Sequence, residues 1–142
     1  MMNDKLKLEN QLCFPLYAAA KEVIRRYRPM LDPFGLTYTQ YIAMMALWEH
    51  RALTMTELGA MLMLDSGTLT PMLKKMECDG LVVRHRSDDD ERKVIVSLTD
   101  KGAKLHDDIG IVPDSMGACV KLASEEAAQL YTLLYKLINT LK

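Results

Sequence analysis

A chain of 142 residues with 49% hydrophobic content has room for one domain with a real core, though a domain this small often gains stability by pairing. No apolar run approaches the roughly 18 residues of a membrane span, and the opening MMNDKLKLEN is polar and mixed in charge, so a cytoplasmic protein is expected. A formal net charge of -1 lends no support to nucleic-acid binding, and three cysteines without a C-x-x-C pair suggest neither a disulfide framework nor a structural zinc site.

From Cys13 to Arg28 the apolar positions Leu12, Leu16, Ala20, Val23 and Tyr27 recur at helical spacing, while Lys21, Glu22, Arg25, Arg26 and Arg28 fill the other face. Pro15 fits this amphipathic helix only in its first turn, where the missing N–H had no partner, so the helix starts near Cys13. The prolines and glycine of RPMLDPFGLTY predict a connection, and Thr39 to Trp48 a second helix with Tyr41, Met44, Met45 and Trp48 on one side. Arg51 to Leu53 reads as a short link.

Thr54 and Glu57 fit a capping box for a helix through Met61, and Asp65 offers an N-cap for a further helix from Ser66 to Glu77, ended near Gly80. Two short capped helices joined tightly give a helix-turn-helix outline. LVVRHR and KVIVSL, separated by SDDDER, predict a β-hairpin with a charged tip. A helix opens near Thr99 and is interrupted around Gly110 and Pro113. A last one opens near Ser124 with Leu130, Leu133, Leu134, Leu137 and Leu141 on one stripe. With the first helix, these elements carry more apolar surface than a small reader domain buries alone, and a second copy is the simplest outlet.

In DSGTLTPMLKKMECDG, the small and hydroxylic Ser66, Thr68, Thr70 and Pro71 suit close approach to base edges, and Lys74 and Lys75 suit phosphates. Taken alone, the segment fits a capped surface helix equally well. The order of elements favours DNA, because a hairpin bearing Arg84, Arg86, Arg92 and Lys93 follows, and arginine on such a wing enters minor grooves. The tip also carries Asp88, Asp89, Asp90 and Glu91, which oppose phosphate unless paired. Asp90 bonded to Arg92 or a neighbour would stiffen the wing.

Cys13 at a helix N-terminus meets the positive end of the macrodipole, which favours thiolate chemistry with a peroxide. Composition alone favours a buried, inert cysteine. Cys78 reads as a packing residue beside Met76 and Leu81. His50, His85 and His106 lack ligand spacing, so neither a metal nor another cofactor is expected.

The segment LDSGTLTPMLKKMECDGLVVRHRSDDDERKVIVSLTDKG resembles the reading helix and wing of the MarR family, with its D-x-R element at Asp90 and Arg92. LKLENQLCFPLYAAAKEVIRRYRPMLDPFGLTYTQY resembles the organic-hydroperoxide-responsive OhrR branch, and the likeness covers roughly residues 5 to 110. The resemblance implies a mainly α fold with a small β-hairpin, a winged helix-turn-helix over residues 37–99, and dimerisation helices in 5–36 and 100–142 within a single domain.

It further implies that Cys13 is the redox-sensing thiol, that Tyr27 and Tyr38 hydroxyls stabilise its thiolate, and that Cys119 resolves the oxidised form through an intersubunit disulfide. A mixed disulfide with a small thiol stays open as the alternative. Phe14, Leu16, Met44 and Met45 would suit a peroxide with an organic tail. The expected protein is then a homodimeric repressor that leaves double-stranded operator DNA when an organic hydroperoxide oxidises it. The alternative is a MarR-type regulator released by an aromatic or phenolic ligand without redox chemistry. An enzyme, a thiol peroxidase, would leave the reading helix and wing without purpose.

Overall fold

The computed structural model describes residues 3–142, so the first two residues of the polar N-terminal stretch lie outside it. In chain order the regular elements are α1 (Cys13–Leu31), α2 (Tyr38–His50), β1 (Ala52–Thr54), α3 (Met55–Leu62), α4 (Ser66–Cys78), β2 (Val82–Arg86), β3 (Val94–Leu98), α5 (Asp100–Ile109), α6 (Ile111–Cys119) and α7 (Ser124–Leu141). Short 3-10 turns precede α1 and join it to α2. The mainly α fold with a small hairpin is as expected. The described chain falls into two compact units, Met1–Val112 and Pro113–Lys142.

Helices α2, α3 and α4 end within one or two residues of the positions read from the sequence, and two differences go further. Helix α1 continues through Pro29 to Leu31. The proline leaves the Arg25 carbonyl without its usual donor, and the extension brings Leu31, 1% exposed, into the core. The link expected at Arg51 to Leu53 contains a strand, β1, which pairs antiparallel with β3 in a sheet of order β1-β3-β2. Three residues are too few for alternation to show, and the strand exists because Leu53 opposes Val96, both buried.

The core of the first unit gathers Met44 and Leu47 of α2, Leu58 of α3, Leu73 and Met76 of α4, and Val96 of β3. Met45, expected on the same side as Met44, is 44% exposed because consecutive helical residues lie about 100° apart. Helix α4 ends in a Schellman arrangement: Leu81 N–H donates to Met76 O at 3.0 Å, Gly80 N–H donates to Glu77 O at 3.0 Å, and Gly80 takes φ 78. That turn aims β2 back along α4. Helix α5 then seats on the wing base through Gly102, where a Cβ would collide with the Leu81 carbonyl. Trp48 Nε1–H of α2 donates to Gly102 O at 2.9 Å.

In the second unit, α7 opens with Glu126 accepting the Ala123 N–H at 2.9 Å. Leu130, Leu133 and Leu141 of its expected stripe are exposed. No helix among the described residues is long and apolar enough to cross a membrane, and no group of side chains among them forms a metal cluster.

Candidate nucleic-acid interface and thiol site

Helices α3 and α4 each open on the cap read from the sequence. Thr54 Oγ1 accepts the Glu57 N–H and Glu57 Oε1 the Thr54 N–H, both at 3.1 Å. Asp65 Oδ1 accepts the Thr68 N–H at 2.7 Å. These bonds hold the Glu57 and Asp65 carboxyls below the usual range, the first through the Thr54 bonds and the second through Thr68. Between the helices Met63 takes the left-handed conformation at φ 57, and Leu64 N–H donates to Gly59 O at 3.0 Å. The tight turn sets α4 across α3.

Helix α4 then splits by face. Leu69, Leu73 and Met76 are buried, while Ser66, Thr68, Pro71, Lys74 and Lys75 are exposed and Thr70 is half-buried. Pro71 leaves the Gly67 carbonyl without its i+4 donor near the exposed helix start. Lys75 Nζ is 3.0 Å from Asp79 Oδ1, whereas Lys74 makes no ion pair among the described residues.

The wing, β2 and β3, is organised by two carboxylates. Asp90 Oδ1 accepts the Arg92 backbone N–H at 3.0 Å and Nε–H at 3.1 Å, and Oδ2 accepts from Nη2 at 3.3 Å. The Arg92 bonds hold Asp90 below the ordinary carboxylate range, and the Arg92 side chain they orient remains 91% exposed. One acid of the tip is thereby committed inside the turn. Arg86 Nη1 donates to Glu91 O at 2.8 Å, and Lys93 N–H to Asp90 O at 3.0 Å.

Arg84 is placed differently from the other basic residues expected at DNA. Its side chain is only 20% exposed, and its Nη2 donates to Glu77 Oε1 at 3.2 Å while its backbone N–H donates to Glu77 Oε2 at 3.1 Å. The pair ties β2 to α4, and the Arg84 bonds hold Glu77 below the usual range. Sequence spacing gave no signal of this tie, because it forms only once the Gly80 turn folds the strand back.

Cys13 is the first residue of α1 and is exposed in the single chain. Its N-cap residue, Leu12, supplies no side-chain cap, so the first-turn amides stay available. The segment before it is braced by Asn10 Nδ2 donating to Asp4 O at 2.8 Å and Gln11 Nε2 donating to Lys5 O at 2.7 Å. An open groove of about 760 Å3 there is lined by Leu6, Leu8, Phe14, Pro15 and Ala18. Residues 14, 15 and 18 share a helix face turned away from residue 13. The apolar set expected beside the thiol is not assembled around it in the single chain: Phe14 faces the groove and Met44 lies in the core.

Tyr27 and Tyr38 meet at the other end of α1, ring centroids 4.7 Å apart and tilted by 48°. Burial pushes both phenols up, with the neighbouring Tyr38 adding to the effect at Tyr27, so both remain O–H donors at neutral pH. A third ring, Tyr41, missed as a site residue, lies 5.9 Å from Tyr27 and 6.4 Å from Tyr38. Its i,i+3 spacing from Tyr38 was the available signal.

Cys119, the last residue of α6, is exposed. So is Cys78, contrary to its expected packing role: it opens onto a cleft bordered by Phe34, Lys101 and Leu105. Met76 is buried, but two helical steps carry Cys78 about 200° round α4.

Residues 25–109 match the family model described as transcriptional regulator SarA/Rot. Over 138 residues the chain is 49% identical to the organic hydroperoxide resistance transcriptional regulator of Bacillus subtilis (strain 168), covering 97% of this chain and 94% of that protein. The structure of reduced AbfR bound to DNA superposes with a TM-score of 0.82 at 35% identity, covering 99% of this chain and 96% of the other. Disulfide-formed AbfR superposes at 0.69 with 35% identity, covering 95% of each chain. AbfR is a protein of Staphylococcus epidermidis.

Proposed function

The chain belongs to the MarR family of winged helix-turn-helix regulators, in its organic-hydroperoxide-responsive branch, and on that footing we propose that it is a homodimeric repressor whose Cys13 senses the peroxide. Reduced, it holds operator DNA. Oxidised, it releases the operator.

In this reading residues 37–99 form the reader, with 5–36 and 100–142 supplying the pairing helices. Helix α4 enters the major groove with Ser66, Thr68, Thr70 and Pro71 toward the bases and Lys74 and Lys75 toward phosphates. Arg92, aimed by Asp90, serves the minor groove with Arg86 and Lys93 beside it. Arg84 acts by holding the wing on α4. The exposed Leu12, Leu16 and Val23 of α1 and the Leu130 and Leu133 of α7 are surface for the second copy.

The observation that carries the sensor assignment is the exposed Cys13 at an uncapped helix start, in a chain whose Tyr27 and Tyr38 pair at that helix's far end. Fourteen helical steps separate Cys13 from Tyr27, roughly 21 Å along the axis. A phenol pair at that separation reaches a thiol only from the other protomer, so each sensing site is composite.

The Cys13 thiolate attacks the peroxide oxygen distal to the organic group. The O–O bond breaks, the alkoxide leaves and takes a proton as an alcohol, and Cys13 becomes a sulfenic acid. The partner's Cys119 thiol then displaces the sulfenic oxygen as water and closes a disulfide. The two electrons come from the thiols alone. No cofactor enters, and the protein works in the cytoplasm as a regulator rather than an enzyme, with one peroxide reduced per Cys13–Cys119 pair.

The test is to treat the reduced dimer with one equivalent of cumene hydroperoxide in the presence of a sulfenic-acid trap and to map the products by mass spectrometry. Trap on Cys13, replaced by a Cys13–Cys119 disulfide when the trap is omitted, is the expected result. Trap on Cys78 with Cys13 unmodified would overturn it and leave release by a small aromatic ligand as the reading.

A further inference from the structure

The tyrosine pair does not stand alone. Tyr41 is 4% exposed and belongs to the core cluster, whereas Tyr27 and Tyr38 are only packed against that cluster. The three rings close a triangle with centroid separations of 4.7, 5.9 and 6.4 Å and interplanar angles of 44° to 60°. Aromatic rings in such tilted contact favour a defined mutual orientation beyond what their burial contributes.

Two of the rings come from one helix at i and i+3, and the third crosses from α1. Without Tyr41, Tyr27 and Tyr38 would touch each other but have no rigid aromatic wall beneath them. A phenol turned by one rotamer carries its hydroxyl several ångströms away. Tyr41 directly follows Gln40 and lies one turn after Thr37, and the reciprocal bonds of those two residues fix the start of α2: Thr37 N–H donates to Gln40 Oε1 at 3.0 Å and Gln40 N–H to Thr37 Oγ1 at 3.3 Å. The helix start that carries Tyr38 is therefore held at its backbone, and Tyr41 is the aromatic side chain that contacts both its ring and that of Tyr27.

We infer that Tyr41 is a positioning residue for the sensing reaction, holding the Tyr27 and Tyr38 rings so that both hydroxyls converge on one point outside the chain. The inference rests on the assignment of those two phenols to the partner's Cys13. The part Tyr41 plays is that of its ring. Burial, with the two neighbouring phenols adding, pushes its own hydroxyl up and keeps it protonated. It touches no reacting atom, and its effect passes through the other two.

The test uses full-length reduced dimers in a Cys78→Ser, Cys119→Ser background, where Cys13 is the sole thiol. Rates of reaction with cumene hydroperoxide, and of alkylation by iodoacetamide across a pH series, are compared for Tyr41→Phe, Tyr41→Leu and Tyr41→Met. Tyr41→Phe keeps the wild-type rate and pH profile. Tyr41→Leu and Tyr41→Met slow the peroxide reaction by about tenfold to a hundredfold, the upper figure being the cost of a misplacement of about 1 Å. They also move the alkylation profile to higher pH while operator affinity of the reduced protein stays unchanged. A purely structural role would instead lower stability and affinity together and leave the profile in place.

Tyr41→Met keeps the test available if Tyr41→Leu does not fold. A folded Leu or Met variant with wild-type rate and profile overturns the inference while the Tyr27→Phe/Tyr38→Phe double variant still shifts both. If that double variant is itself silent, the phenol assignment falls and the role of Tyr41 with it.

Discussion

Cys13 and Tyr27 stand at opposite ends of one helix, α1, roughly 21 Å apart along its axis. A thiol and a phenol so placed are partners only across a dimer, and mixed dimers separate this from any arrangement within one chain. One protomer carries Cys13→Ser and the other Tyr27→Phe/Tyr38→Phe. The composite arrangement leaves one complete site, the second protomer's thiol against the first protomer's tyrosines. Half the sites of the mixed dimer should therefore react with peroxide at the wild-type rate. A mixed dimer as slow as the Tyr27→Phe/Tyr38→Phe homodimer would contradict it.

Arg84 and Arg92 sit on the same wing with opposite commitments. Arg84 is bound to Glu77 and mostly covered, and Arg92 is bound to Asp90 and almost wholly exposed. Arg84→Ala should lower the melting temperature by several degrees and weaken DNA binding only through the loosened wing. Arg92→Ala should leave melting unchanged and weaken operator binding. Asp90→Ala should do the same more mildly, by freeing the guanidinium. Calorimetry and fluorescence anisotropy on the three variants check the contrast.

Lys74 is predicted to meet a phosphate. Lys74→Ala should weaken binding to all sequences alike and reduce the slope of log affinity against log salt by about 1. Thr68→Ala, at the exposed helix start, should change sequence preference, with a cost of about 1–3 kcal/mol at the base pair it reads and little change in salt slope. An unchanged slope for Lys74→Ala would remove that residue from the interface.

The carboxylates of Glu57, Asp65, Glu77 and Asp90 are all held below their ordinary range by hydrogen bonds. A depressed folded-state pKa gives stability that is present above the unfolded value, about 4, and is lost as pH falls through the folded one. Melting temperature should therefore fall on acidification from about pH 4 downward. Glu77→Gln should start lower at neutral pH and lose less over the same acid range, and a parallel acid limb would show that the Glu77–Arg84 bond carries no such linkage.

Gly102 is the point of closest approach between α5 and the wing base, where a Cβ would meet the Leu81 carbonyl and, at 3.3 Å, Leu98 Cδ2. Backbone does not yield as a flexible side chain does. Gly102→Ala should destabilise by about 1–3 kcal/mol, the usual cost of forcing extra volume into a packed joint. Chemical denaturation measures it, and a neutral result would mean that α5 shifts freely on the sheet.

The local elements were legible because their signals are local. Thr54, Glu57 and Asp65 announce helix starts through their own side chains, and the β-branched runs around SDDDER announce a hairpin. β1 was not legible, since a three-residue strand has no period and exists only through β3. Nor was the reach of α1 past Pro29, where burial of Leu31 overrides a local breaker. Of the candidate site, Cys13 was found through its place at a helix start. That Tyr27 lies out of its reach within one chain already follows from fourteen steps along the helix read from Cys13 to Arg28, whereas the contact of Tyr41 with both other rings appears only once α2 crosses α1. Cys78 was misjudged because neighbours in sequence do not share a helix face.

The most direct measurement is operator release. Reduced wild-type protein and Cys13→Ser are each bound to a labelled operator duplex and treated with one equivalent of cumene hydroperoxide, with Cys119→Ser alongside. The account predicts that wild type leaves the DNA, that Cys13→Ser stays bound, and that Cys119→Ser reports whether release requires the disulfide. Release of Cys13→Ser by the peroxide, or retention of wild type after its Cys13 is fully oxidised, would contradict it.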